Sequence, residues 1–142
     1  MTSLVKTAGF TGTIAALCGF AMLTDLAHSA DAEKADLTMS IEPLGYLFKD
    51  GRHRYTHHRL FTESAGVGVT ITSGKVCVDH GKECVSGILE YRIDPNTQRA
   101  RRNQYVATKS IPDVATVEYG GVDDLGNPVH VKAEIILDVP EQ

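Results

Sequence analysis

Apolar and polar residues alternate with a period of two along most of the chain beyond residue 33. In "VHVKAEIILDV", Val129, Val131, Ala133, Ile135, Leu137 and Val139 fall on one face, while His130, Lys132, Glu134, Ile136 and Asp138 fall on the other. That period belongs to a strand with one face buried. It recurs through Ala115, Val117 and Tyr119, through Leu89, Tyr91 and Ile93, and through Val67, Val69 and Ile71. The phase slips between Ile71 and Val76, around Ser73-Gly74, which is the mark of a bulge or bend. Turn chemistry at "KDG", "HG", "DPN", "IPD" and "DDLGN" separates the runs. The pattern predicts seven or eight strands, no helix after the N-terminal segment, and an all-β, two-sheet sandwich. A small β-barrel is the runner-up.

The first 32 residues read differently. Lys6 precedes an uncharged, mostly apolar run of 16 residues from Ala8 to Leu23, followed by "TDLAHSADA". A basic lead, a brief apolar core and small residues at A-x-A spacing form a secretory signal. The run is short for a bilayer core, which needs about 20 apolar residues. Cleavage is expected at Ala30-Asp31-Ala32, with the end of "AHSA" as second choice. Leu17 sits where lipid attachment to Cys18 would need Gly or Ala, so no lipoprotein is expected. The expected organisation is a signal peptide at 1–32 and one domain at 33–142, periplasmic or secreted, with no transmembrane segment in the mature chain.

Cleavage leaves Cys77 and Cys84, in "KVCVDHGKECVSG". An even count at close spacing in an oxidising compartment reads as a disulfide. A turn at His80-Gly81 would oppose the two cysteines directly, within bridging range. The C-x6-C spacing and the absence of a nearby helix start argue against redox chemistry.

The 110 mature residues carry a net charge of about −3, which argues against a nucleic-acid partner. The charge is uneven. Residues 49–59 hold Lys49, Arg52, Arg54 and Arg59 against Asp50, whereas residues 113–142 hold seven acids against Lys132. No nucleophile elbow, zincin helix or phosphate loop is present, and "GVGVTI" lacks the third glycine of a dinucleotide fingerprint. No catalytic residue and no cofactor is expected. With no tryptophan, a stacking platform for sugars or bases is thin.

The segment with most chemistry is "GRHRYTHHRL", residues 51–60. As a strand it would send His53, Tyr55, His57, Arg59 and Phe61 to one face. Arg52, Arg54, Thr56, His58 and Leu60 would go to the other. His53 and His57 would then stand roughly 13 Å apart at ~3.3 Å per residue, too far to share an ion through bonds of about 2 Å. A metal would need a distant partner for His53 or His57, such as His80, His130 or an acid. A phosphate-bearing or other polyanionic ligand could use Arg52, Arg54, His58 and Arg59, together with Arg99, Arg101 and Arg102. The reading favoured by sequence is a solvated, slightly basic strand. "NTQRARRNQ", 96–104, reads as a loop or exposed edge whose charge discourages aggregation. "DDLGN", 123–127, offers too few oxygens for calcium and reads as a turn.

"FTESAGVGVTITSGKV", residues 61–76, resembles the second-strand region of Ig-like sandwiches in exported bacterial proteins. "ATVEYGGVDDLGNPVHVKAEI" is similar to their closing hairpin. The resemblance implies an interaction or scaffolding module and supplies no function by itself. The expectation is a non-catalytic module binding a protein or cell-envelope component. The alternative is an anion- or metal-binding protein using residues 52–59.

Overall fold

The computed structural model describes residues 33–139; the expected signal at 1–32, its cleavage site and Cys18 lie outside them. Seven antiparallel strands follow in order: β1 (Leu37–Lys49), β2 (Arg52–Glu63), β3 (Val69–Val78), β4 (Glu83–Ile93), β5 (Gln98–Thr108), β6 (Asp113–Asp123) and β7 (Pro128–Leu137). They form two sheets, β1-β2-β5 and β4-β3-β6-β7. No helix among the described residues is long and apolar enough to cross a membrane.

The period-two faces become the inner faces of the sandwich. Phe61, Val69, Ile71, Ile93, Val117, Tyr119 and Val131 form one core cluster, and Val78, Val106, Ala115 and Leu137 another. Each fully buried Phe, Ile or Leu contributes about 1.5–3 kcal/mol through apolar area removed from water. Alternation alone does not set the register; three bulges adjust it. The slip expected near Ser73-Gly74 lies between Ile71 and Ser73, in the pairing with both β4 and β6. The other two sit at Pro43/Gly45 in β1 and opposite His57/Arg59 in β5.

The β3–β4 hairpin matches the sequence expectation. Cys77 pairs with Cys84 and Val78 with Glu83, and the cysteines are disulfide-bonded with Cα atoms 4.1 Å apart. Asp79, His80 and Gly81 all take positive φ in the turn, a conformation Gly adopts without strain and Asp or His only occasionally. Residues 61–76 span two elements: Phe61–Glu63 end β2 in one sheet, and Val69–Val76 belong to β3 in the other. The "SAGVG" stretch between them carries the chain across the sandwich.

Side by side, β1 and β7 close one lateral seam of the sandwich. The other seam runs between the outer strands β4 and β5. It is open.

Candidate anion-binding seam

β2 lies in the middle of its sheet, so one of its faces must enter the core. The face that enters carries His57, Arg59, Phe61 and Glu63, all buried. The expectation of a solvated strand is therefore wrong for two residues of the segment: His57 is 1% exposed and Arg59 5%. Geometry was read correctly but burial was not, because alternation does not say which face is covered.

Of the four candidate ligand residues only Arg52 and Arg54 line a common cleft, and each has a partner there. Arg52 ion-pairs with Glu83 at 2.9 Å and donates to the Ala107 carbonyl. Arg54 stacks over the Tyr105 ring at 4.2 Å. His58 accepts the Asn103 N–H at the β5 bulge, where Asn103 has positive φ. Arg59 points the other way, into the core. The candidate metal ligands are equally dispersed. His53 pairs with the Tyr46 hydroxyl at 2.8 Å, His80 lies beside Asp113, and His57 is engaged by Arg59. Among the described residues no three His, Cys, Asp or Glu side chains come together to hold a metal.

What converges is a set drawn from four strands, β2, β4, β5 and β6. Arg59 donates through Nε to His57 Nε2 at 3.1 Å and through Nη1 to the Tyr119 hydroxyl. Arg101, opposite Arg59 across the β2–β5 ladder, donates to the same hydroxyl at 3.2 Å. Its guanidinium also lies 5.6 Å from the Tyr91 ring, and that of Arg99 lies 4.7 Å from it. The Tyr91 hydroxyl is buried without a hydrogen-bonding partner. Burial pushes its pKa up, which keeps it protonated.

The aromatic floor depends on Gly74. Tyr119 pairs with Gly74 across β3–β6, and a Cβ there would sit 2.8 Å from Tyr119 Cε1 and 3.1 Å from Cδ1. Glycine lets the ring lie on the strand, edge-on to Phe61 at 5.2 Å, and so sets the height of the hydroxyl that both arginines reach.

The electrostatics are one-sided. Arg59, Arg99 and Arg101 make no ion pair among the described residues, whereas Arg92 has Asp124 and Asp94 and Arg52 has Glu83. His57 cannot offset the charge. Its Nδ1 donates to the Tyr55 carbonyl and its Nε2 accepts from Arg59, which requires a neutral ring. Desolvation, then the nearby Arg59 charge, lowers its pKa accordingly. A buried guanidinium without an anion is costly, on the order of several kcal/mol. Arg59 and Arg101 line a cleft of about 260 Å³ between the sheets, with Gln104 from β5 and Val85, Gly87 and Leu89 from β4. A second cleft, of about 770 Å³, continues along the seam past Arg54, Val85 and Tyr105.

Sequence reasoning missed Tyr91, Tyr119 and Gln104; it named Arg101 both as edge charge and as a possible polyanion ligand, but not as a partner of Arg59. The available signal was the shared face of His57, Arg59 and Phe61: a charged residue between two core positions on a central strand.

Fold and site together define a seven-stranded antiparallel two-sheet sandwich with a cationic lateral seam, in which Arg59 and Arg101 meet no carboxylate among the described residues. Among solved structures, the chain is similar to the putative ApaA protein of Bordetella pertussis, with a TM-score of 0.64 and 17% identity over 77% of this chain and 98% of that one. It is also similar to the structural-genomics target SoR45, with a TM-score of 0.52 and 16% identity over 78% of this chain and 91% of that one. At these identities the likeness is one of fold. No family model and no curated protein matches the sequence.

Proposed function

We propose that this chain is an exported, non-catalytic, Ig-like module that binds an anionic group of a protein or cell-envelope component in the seam between β4 and β5. The observation that carries this reading is Arg59, buried at 5% exposure beside Arg101, with no carboxylate paired to either among the described residues. Oxyanions accept charge-assisted hydrogen bonds from guanidinium more strongly than neutral acceptors do, and a desolvated cleft strengthens them. The seam supplies cations and phenol hydroxyls, while the one imidazole present is held by Arg59; that set suits binding rather than proton transfer. Export is supported by the basic lead and apolar run within residues 1–32 and by the Cys77–Cys84 cystine.

The test is titration of the protein with inorganic phosphate, sulfate and acetate at low ionic strength, followed by NMR of the arginine Nε–Hε groups. The expected result is saturable shifts at Arg59 and Arg101, lost in Arg101→Gln. Shifts spread evenly over all arginines, including Arg92 and Arg102, would overturn the reading.

A further inference from the structure

We propose that the occupant of this seam is an extended acidic peptide segment that adds to β4 as a fifth strand of the four-stranded sheet. The proposal rests on the reading of the seam as an anion site and adds the ligand's backbone form and side-chain chemistry.

The first argument is the edge itself. β4 is an outer strand, so one row of its backbone N–H and C=O groups has no partner strand. Proteins normally blunt such an edge with charge, proline, a bulge or a covering element. β5 is blunted by Arg99, Arg101 and Arg102, and β7 lies alongside β1. On β4 the run Cys84–Leu89, "CVSGIL", has no charge and no proline, and Val85 and Ile88 are 76% and 97% exposed. The run is bounded by the cystine at one end and by the bulge before Tyr91 at the other. Its six residues span roughly 20 Å at ~3.3 Å per residue, the reach of a short added strand.

The second argument is parity. Val85 pairs with Val76, which like Val78 two residues on faces the core, and Gly87 with Gly74 on the same face; Val85, Gly87 and Leu89 therefore face the seam. Cys84, Ser86 and Ile88 face outward. A strand added beside β4 inherits this alternation, so every second side chain projects over the cleft toward Arg101, Arg59 and Gln104. A Cβ at Gly87 would meet nothing within 4 Å, which leaves room beside it for an incoming side chain.

The third argument is charge. The inward side chains of the added segment face Arg59 and Arg101, whose partners among the described residues are all neutral, and this selects Asp or Glu. The outward ones lie beside Ile88 and can be apolar. Strand addition gives affinity through the backbone and specificity through alternate side chains. A second copy of this chain fits less well, because its own Cys84–Leu89 run brings no carboxylate.

The experiment uses the full mature chain and three blocked hexapeptides: alternating Glu–Val, alternating Gln–Val and alternating Lys–Val. Binding is read by fluorescence anisotropy and by amide hydrogen exchange. The expected result is that Glu–Val binds and slows exchange at alternate amides within 84–89. Gln–Val should bind at least about tenfold more weakly, as should Glu–Val to Arg101→Gln, the loss expected when one side of a hydrogen-bonded charge pair is removed. Equal binding of Glu–Val and Gln–Val, or protection elsewhere than β4, overturns the proposal. Phosphate shifts at Arg59 and Arg101 without peptide protection of β4 also overturn it, while leaving the anion site standing. Failure of both phosphate and peptide to perturb those arginines removes both readings. Concentration-dependent protection of β4 without peptide assigns the edge to a second copy instead.

Discussion

Two regions of this sandwich bury charge, and they treat it in opposite ways. At the strand ends, Glu63, Asp113 and Asp123 are buried carboxylates saturated by donors. Glu63 accepts N–H groups from Asp36, Ala65, Gly66 and Asn96. Asp113 accepts from the Asp79, His80 and Val114 N–H groups and the Thr108 hydroxyl. Asp123 accepts from the Ala35, Leu125 and Asn127 N–H groups and from the Asn127 amide. Burial pushes each pKa up, but the donors outweigh it and hold all three below the usual range, Asp123 at about 2. In the seam, Arg59 has an imidazole and a phenol for company and no anion. The acids act as clamps between loops. On the proposed reading, the arginine is a charge left for a ligand to answer.

The contrast makes opposite predictions for deletion on the two sides. Glu63→Ala leaves four backbone donors without their acceptor and should cost about 3 kcal/mol or more, measured by urea unfolding. A loss near zero would mean that the clamp is ornamental. Gly74→Ala pushes on the Tyr119 ring and should cost about 2 kcal/mol from overpacking, while also weakening phosphate binding by displacing the shared hydroxyl. Arg59→Met should do the reverse of Glu63→Ala: in anion-free buffer stability should hold or rise by about 1 kcal/mol, because an uncompensated charge gives way to an apolar side chain. A loss matching that of Glu63→Ala would show that Arg59 is structural. The smallest effect is on pH. His57 has a lowered pKa, so its contribution is complete above the ordinary value of 6.5 and is lost as pH falls through the folded value. A second loss should follow below the ordinary Asp value of 3.8, as pH falls toward about 2 and Asp123 takes its proton. His57→Gln should remove the first decline and leave the second, as read from thermal midpoints across pH.

Much of the fold was legible because alternation and turns are local. The β7 stripe from Val129 to Leu137, the bulge near Ser73 and the opposition of Cys77 and Cys84 all follow from neighbouring residues. The seam was not legible for a complementary reason. Arg59 and Arg101 are 42 positions apart, and Tyr119 is 60 from Arg59; only the pairing of β2 with β5, and of sheet over sheet, brings them together. The histidine-rich stretch drew attention by composition, and its conspicuous members proved to be partners of neighbours: His58 of the Asn103 bulge, His53 of Tyr46. Of the candidates at Arg52, Arg54, His58 and Arg59, only the one sharing a face with core residues joins Arg101 and Tyr119; Arg52 and Arg54 line the neighbouring cleft, where Glu83 and the Tyr105 ring engage them.

The cystine at the closed end of the β3–β4 hairpin has a consequence for fidelity. Pairing errors in a sheet come in steps of one residue, and each step exchanges inside for outside. By locking Cys77 against Cys84, the covalent link denies the outer strand that freedom, so Val85 and Gly87 keep facing the arginines. On the proposed reading, a reducing environment would thus blur which side chains of β4 a bound peptide meets.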